Sequence, residues 1–311
     1  MSHHQSRRQA LKQLGSLGVS ALALGSASTA MAGPANAAGS QQQLDLSTPE
    51  KRSAITTKIM GSIGKEEKHT FLRFHIYGYM GENVVPFFSM NNYVVQYWTP
   101  DSRAGHYQLK HYEVGYYTEF DTDKPITHWK NPVTGKTIEL ETFILGPVGR
   151  VYTPNGIIAP GIAPQPLRVS VIGDRVYVPT QSIEAFPNMF KPEEWPELSS
   201  GDKTYWDSMS TYSAPLADVL DPALKSVKAE IHMQNLTSWQ PFLRLGQLKG
   251  RSMARAFGQN IAGFHELSPT VRADFEKYTP AIFDTKNWTD MRFDSIDFYN
   301  KALADKAKAN Q

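Results

Sequence analysis

The sequence predicts a mainly β protein, an antiparallel β-barrel of lipocalin-like or cyclase-like shape with short helices at the start and the end of the mature chain. Three observations favour this fold. Apolar residues alternate with polar ones through the first half of the mature chain, tight turn sequences separate the alternating segments, and helix signals occur only near its two ends. An open sandwich of two sheets is the alternative, because a sequence does not show whether a sheet closes on itself.

The N-terminus has the organisation of a twin-arginine signal peptide, which occupies residues 1–37. Arg7 and Arg8 lie in the segment SRRQALK, residues 14–32 are mildly apolar and rich in Gly, Ala and Ser, and residues 35–37 form a small-residue cleavage site. This pattern predicts export of the folded protein to the periplasm or the medium, with the twin-arginine translocation machinery as a partner. The interrupted apolar run argues against a stable membrane anchor after cleavage.

The mature chain, residues 38–311, is expected to form a single β-rich domain that begins and ends with helices. Ser47 and Glu50 have the spacing of a capping box, and this spacing predicts a short helix through about Met60. Two further helices are predicted near the C-terminus, one from Ser268-Pro269 to about Tyr278 and one over residues 293–309.

The segments between these helices alternate with the period of a β-strand. In residues 69–79 the even positions carry Leu72, Phe74 and Ile76, whereas the odd positions are polar or aromatic. Residues 109–144 predict a three-stranded antiparallel meander, and the Gly- and Pro-rich residues 146–166 predict an irregular loop. Further β segments are predicted over residues 84–98, 167–180, 203–214 and 226–239, with a pair of short strands within residues 243–263.

Charge and composition exclude several classes of function. The chain of 311 residues has 32 basic and 30 acidic residues, and removal of the signal peptide leaves 29 and 30. Such a balance provides no field to hold a polyphosphate, so no nucleic-acid partner is expected. The absence of cysteine excludes disulfides, thiolate nucleophiles, iron–sulfur clusters and thiolate zinc sites.

Motifs for common cofactors and hydrolases are also missing from the sequence. No Gly-x-Gly-x-x-Gly segment follows a predicted strand, and there is no Gly-x-Ser-x-Gly elbow. His75, His111 and His232 with Glu113 could in principle supply metal ligands, but the mature chain contains no His-x-His or His-x-x-x-His pair. The sequence therefore predicts neither a cofactor nor a metal.

Polar and aromatic side chains recur on one face of two predicted strands, because residues two apart on a strand point the same way. If both faces look into a barrel, they would line one pocket. The other interpretation is that they are the solvated sides of antiparallel strands. The residues concerned are Arg73, His75 and Tyr77 on the first strand and His111, Glu113 and Tyr117 on the second.

A pocket of this kind could carry acid–base chemistry. His75 or His111 would act as the base, Glu113 would orient it, and these three are the candidate catalytic residues. Aromatic rings would contact a flat or hydrophobic ligand, although packing in the core is the alternative role for them. The residues expected to contact the ligand are Arg73, which would hold an anionic group, Tyr77, Tyr117, Trp129, His232 and Trp239.

Several segments resemble the bacterial and fungal family called domain of unknown function 1838. The resemblance covers about residues 45–300. The chain departs from the family pattern at residues 146–148, where an Asn-Asp-Pro-Val element is expected, and at Gln240, where a basic residue is frequent. The similar segments are EVGYY at 113–117, WKNP at 129–132 with Thr134-Gly135, Phe186 to Asn188 with Pro192 and Pro196, SWQP at 238–241, and residues 245–250.

The resemblance implies a single fold and export rather than an activity, so three functions stay open. The first is an exported module that binds a small hydrophobic or aromatic molecule. The second is a cofactor-independent isomerase, cyclase or lyase that acts in the same pocket. The third is a non-catalytic interaction protein of the cell envelope.

Overall fold

The computed structural model of the protein describes residues 43–159, 162–246, 248–290 and 292–309. The predicted signal peptide and its cleavage site lie outside these residues. None of the helices within them is long and apolar enough to cross a membrane.

Antiparallel strands dominate the fold. Eleven of them follow one another in the order β8-β7-β6-β3-β2-β1-β13-β12-β11-β10-β9, β14 pairs with β6, and β4 and β5 form a separate hairpin. The strands are β1 Glu66–Met80, β2 Asn83–Pro100, β3 Tyr107–Thr118, β4 His128–Lys130, β5 Thr137–Glu139, β6 Phe143–Thr153, β7 Gly156–Ala159, β8 Ile162–Gln165, β9 Ser170–Ile172, β10 Arg175–Pro187, β11 Lys203–Pro215, β12 Glu230–Thr237, β13 Arg251–Ile261 and β14 Arg292–Phe293.

The large sheet curls into a half-barrel, so the prediction of a mainly β, antiparallel barrel-like fold is confirmed. β8 near one edge of the sheet approaches β10 near the other edge. Side chains from both arms of the sheet therefore meet in a common interior. Trp98 on β2 and Tyr152 on β6 pack in one apolar cluster with Val176 on β10 and Ala214 on β11.

Helices occur near both ends of the described chain, as predicted. Thr48, one residue after the expected cap, caps the first helix by accepting a hydrogen bond from the Lys51 amide at 3.3 Å. Ser268 caps a later helix through the Val271 amide at 3.4 Å. The helices are α1 Pro49–Met60, α2 Leu216–Leu220, α3 Pro269–Tyr278 and α4 Asp294–Ala309, with 3₁₀ turns at Pro241–Leu243, Phe264–Glu266 and Pro280–Asn287.

Three predictions of secondary structure or strand pairing are wrong. β6 and β7 occupy much of the predicted loop at residues 146–166, because β3 offers β6 a neighbouring strand to pair with. Residues 109–144 do not form a meander, since β4 pairs with β5 and not with β3. Within residues 243–263 a single long strand, β13, replaces the expected pair of short strands.

The two faces of the sheet have different neighbours. The inner face holds two apolar clusters, which we call the lower cluster (around Trp98, Tyr152 and Val176) and the upper cluster (around Phe88, Tyr117 and Trp129). The outer face of β1, β2 and β3 is covered by α3 and the turn at Pro280–Asn287, which bury a third cluster. Each strand of this region is therefore packed on both sides, which explains why β2 is almost continuously buried.

Replacing Gly258 on β13 with alanine should destabilise the half-barrel. The new Cβ would lie 1.9 Å from the carbonyl oxygen of Phe71 and 2.9 Å from the Leu72 Cα, so β13 would have to move away from β1. We expect the free energy of unfolding in urea to fall by about 1–3 kcal/mol.

The matched control for that variant is Gly149→Ala on β6. No atom lies within 4 Å of the added Cβ there, so its unfolding free energy should stay near that of the wild type. Equal losses in the two variants would contradict the close approach of β13 to β1.

Candidate functional site

Strand register separates the predicted site residues into two groups. Directly paired residues of an antiparallel sheet share a face. His111 pairs with Gln96, which pairs with Lys68, and all three face the interior. His75 pairs with Ser89 on the outer face. The expectation that one pocket would combine His75 with His111 and Glu113 is therefore wrong.

The inner face of β3 carries a polar layer between the two apolar clusters. Leu109 belongs to the lower cluster and Tyr117 to the upper one, and His111 and Glu113 lie between them. Arg150 on β6 pairs with Leu109 and thus faces the same interior. We call the polar layer the Glu113 belt and define it as Asn92, His111, Glu113, Arg150 and Tyr212.

Glu113 is the centre of this belt. His111 Nε2 is in hydrogen-bond contact with Glu113 Oε1, and Asn92 Nδ2 donates to Glu113 Oε2 at 3.4 Å. Burial by itself would raise the pKa of Glu113, but His111, Arg150 and Asn92 together outweigh it and hold the pKa below its ordinary value. Glu113 is therefore a carboxylate at neutral pH. Its side chain remains 18% exposed, so the charge borders accessible space.

The ionised state of Glu113 determines how its neighbours are oriented. A carboxylate only accepts hydrogen bonds, so His111 Nε2 must carry a proton and the Asn92 amide must present its NH₂ group to Glu113. The opposite atoms of the two side chains, His111 Nδ1 and Asn92 Oδ1, are buried and have no hydrogen-bond partner among the described residues. Unpaired buried polar atoms are uncommon, and they occur at strained positions, at functional sites and where an ordered water or ion binds.

Two tyrosines complete the charged side of the interior. Burial raises the pKa of Tyr152 and of Tyr212, so both hydroxyls stay protonated and can donate hydrogen bonds. The positive charge of Arg150 lies close enough to both rings to lower these pKa values partly. Arg150 thus interacts with Glu113 and with two phenols across the interior.

An aromatic wall and a hydroxyl-rich wall extend from the belt. Tyr117 packs edge to face on Phe88 at 5.0 Å. The indole NH groups of Trp129 and Trp239 donate to the carbonyl oxygens of Phe87 and Leu248 at 3.1 and 2.8 Å. On the other arm, cross-strand pairing gives the inner face a row of small polar side chains, namely Thr180, Ser182, Ser208, Ser210 and Asn235.

Arg73 and His75 have structural partners on the outer face. Arg73 donates to Asn91 Oδ1 at 3.0 Å and to Thr118 Oγ1 at 3.4 Å, and it forms an ion pair with Asp123. His75 Nδ1 lies 2.9 Å from Ser89 Oγ. Burial, with Arg73 nearby, lowers the pKa of His75, so it is neutral at pH 7.

The other two outer-face candidates lie beside aromatic rings of the same face. Tyr77 packs edge to face on Phe120 at 5.2 Å, and His232 is exposed beside Phe257. His75 and His232 therefore lie on the opposite face from His111 and Glu113, so these four cannot share a metal. No group of three or more His, Asp or Glu side chains with metal-binding geometry occurs in the described part of the chain.

The family model DUF1838, described as a protein of unknown function, matches residues 74–302. The chain belongs to this family. A comparison with curated proteins finds no match. The resemblance to DUF1838 that the sequence indicated is thereby confirmed. Membership of this family does not indicate an activity.

The segments that resemble DUF1838 have distinct places in the fold. In EVGYY, Glu113 and Tyr117 face the interior, and Gly115 leaves room for Met90, whose sulfur would lie 2.8 Å from an added Cβ. In WKNP, Asn131 is fully buried. Its Nδ2 donates to the Leu243 carbonyl at 3.0 Å, which fastens the β4–β5 hairpin over the upper cluster.

The two departures from the DUF1838 pattern, residues 146–148 and Gln240, lie next to strands that line the interior. Residues 146–148 lie on β6, and Val148 pairs with His111. Gln240 donates to Thr237 Oγ1 at 3.3 Å, next to the hydroxyl-rich wall.

Sequence reasoning missed most of the belt. Asn92, Arg150 and Tyr212 come from three strands that are far apart in the chain, and Arg150 lies in the segment 146–166, which was predicted to be an irregular loop. The alternation of Ser208, Ser210 and Tyr212 on β11 was the signal that could have identified an inner face there.

The pH dependence of stability should report the charge of Glu113. Its folded-state pKa lies below the ordinary value of 4.5. The ionised carboxylate therefore stabilises the fold above about pH 4.5, and this contribution is lost as the pH falls through the folded pKa. We expect the Tm of the wild type to fall more steeply between about pH 5 and pH 3 than the Tm of Glu113→Gln.

Glu139→Gln provides the control, because this carboxylate on β5 has a side chain that is 65% exposed. Its Tm should follow the wild type over the same pH range. Parallel curves for the wild type and Glu113→Gln would show that the belt does not hold an ionised carboxylate.

Proposed function

We propose that this protein is exported by the twin-arginine route and binds a small hydrophobic or aromatic molecule inside the half-barrel, against the Glu113 belt. The observation that carries the proposal is the ionised, partly accessible carboxylate of Glu113 between two apolar clusters. Placing a charge there is costly unless partners offset it. A mostly apolar space with a few placed polar groups is the usual form of a small-molecule site.

The lining favours a ligand with an apolar body and a hydrogen-bond donor. Tyr117 and the aromatic wall offer flat apolar surface, and Glu113 offers a carboxylate that only accepts. An anionic ligand is disfavoured beside Glu113, since the charge of Arg150 is already balanced by it. A hydroxyl or amine on an otherwise hydrophobic molecule matches these groups.

A second candidate function is acid–base catalysis in the same space. His111 Nε2 forms a hydrogen bond with Glu113, and His111 Nδ1 has no partner within the part of the chain that the structure describes. A carboxylate that orients one nitrogen of an imidazole leaves the other nitrogen as a base, which is the arrangement used by many acyl-transfer and isomerisation sites. His111 would be the base and Glu113 the group that orients it. The third function, an envelope interaction protein, has no support in the interior.

A thermal-shift screen of hydrophobic and aromatic alcohols, phenols and amines should find compounds that raise the Tm of the wild type. Glu113→Gln removes the charge that the donor group contacts while it keeps the shape. We expect its dissociation constant for the same compounds to rise about tenfold, since a hydrogen bond to a charged group contributes about 1.5–3 kcal/mol.

Glu139→Gln should bind these compounds with the affinity of the wild type. Equal affinities for all three proteins, or no hits at all, would contradict the interior site.

Mass spectrometry of the recovered compound then distinguishes a binding module from an enzyme. Conversion that His111→Gln abolishes, while binding persists, indicates an enzyme, and an unchanged compound indicates a binding module.

Export is testable on its own. The double variant Arg7→Lys with Arg8→Lys should leave the full-length precursor in the cytoplasm, because the translocation machinery reads the arginine pair. Lys12→Gln is the control and should still yield exported protein. The measurement is fractionation of the producing bacterium with N-terminal sequencing of the exported form, which should begin at Ala38. Equal export of both variants would contradict the twin-arginine route.

A further inference from the structure

A groove of about 790 Å³ runs over the outer face of β2, β3, β6 and β7, on the other side of the sheet from the Glu113 belt. The turn Pro280–Asn287 forms one of its sides through Lys286. Its volume lies within the range of small-molecule sites in proteins. We call it the lysine groove.

The charge of the lysine groove has one sign. Its lining contains Lys110, Arg150 and Lys286 and no acidic residue. The charge of Arg150 acts on Glu113 on the inner face, which leaves two lysines for the groove. Both lysines are exposed, and among the described residues neither forms an ion pair.

The side of the groove next to Lys286 is rigidly built. Tyr97 and Thr285 share a hydrogen bond of 2.9 Å between their hydroxyls, which fixes the residue before Lys286 against β2. Tyr97 packs edge to face on Tyr112 at 5.7 Å, and Tyr112 packs in the same way on Trp288 at 5.5 Å. The packed rings of Tyr97, Tyr112 and Trp288 therefore support the segment that carries Lys286.

The opposite side of the groove is apolar. Val151 on β6 pairs with Ile158 on β7, and both line the groove together with Ala159. Ile158 is 44% exposed, so its apolar surface faces the groove and solvent. A chain of methylene groups lying there would remove this apolar surface from water.

We propose that the lysine groove binds a free, single-chain amphipathic anion, with its anionic group on Lys110 and Lys286 and its apolar part on Val151 and Ile158. This site is independent of the interior site, because the two lie on opposite faces of the sheet. It also takes the opposite ligand charge, since the interior presents a carboxylate.

Calorimetric titration with decanoate below its micelle concentration tests the assignment on the exported form of the protein. The wild type should bind decanoate, and it should bind decanol, which has the same chain without the charge, at least about tenfold more weakly. The double variant Lys110→Gln with Lys286→Gln should lose about tenfold in decanoate affinity, and Ile158→Thr should weaken binding of decanoate as well.

Two controls keep the result specific. Lys130→Gln removes an exposed lysine on β4 and should leave decanoate affinity unchanged. Glu113→Gln alters a side chain of the inner face and should not weaken decanoate binding, because it removes no positive charge from the groove. Loss of decanoate binding in Glu113→Gln but not in the lysine double variant would place the ligand inside the half-barrel and overturn the proposal.

Three further outcomes would overturn it. They are no binding of decanoate by the wild type, equal affinity for decanoate and decanol, and unchanged decanoate affinity in the lysine double variant.

Vesicles of phosphatidylglycerol test whether the groove binds a membrane surface. Binding to vesicles that requires both lysines, without binding of monomeric decanoate, would assign the groove to a membrane surface instead.

Discussion

The register of β1, β2 and β3 is the constraint on which the rest of the structure depends. Lys68, Gln96 and His111 are direct neighbours across these strands, so their side chains share the inner face. A shift of one residue would turn Glu113 outward and bring Tyr116 into the interior. The helices that cover the outer face and the clusters that fill the inner one both require this register, because each packs against one set of alternating side chains.

Burying the carboxylate of Glu113 in the half-barrel costs free energy, and the other members of the Glu113 belt offset this cost only together. A buried carboxylate without partners would be strongly disfavoured, and removal of one partner of a buried charge is more harmful than loss of an exposed ion pair. Glu113 has three partners from three strands, His111, Asn92 and Arg150. Their alignment depends on the curl of the sheet, so the fold and the charge state of Glu113 are coupled.

The neighbouring residues Asn91 and Asn92 have different hydrogen-bond partners, because they lie on opposite faces of the sheet. On the outer face, Asn91 accepts from Arg73 and donates to the Tyr116 hydroxyl at 2.9 Å, and Tyr116 donates to Asp274 on α3 at 3.4 Å. This chain of hydrogen bonds holds a helix and a loop to the sheet. On the inner face, the side-chain carbonyl oxygen of Asn92 accepts no hydrogen bond from any described residue. Hydrogen-bonded polar groups thus hold the outer face together, and two of the buried polar atoms that lack a partner among the described residues belong to the side chains that contact Glu113.

The sequence by itself determined the fold class, the family and the residues that can alternate on each strand. Period-two patterning depends on local geometry, so the shared face of Leu72, Phe74 and Ile76 and the shared face of His111 and Glu113 could be predicted from it. Pairing over long distances along the chain has no local signal, and this explains the wrong expectations for residues 146–166 and for the meander. Only the tertiary structure decided which face of each strand looks inward. It placed Arg73 and His75 outside and brought Arg150 from β6 to Glu113, because curvature and register act between strands rather than within them.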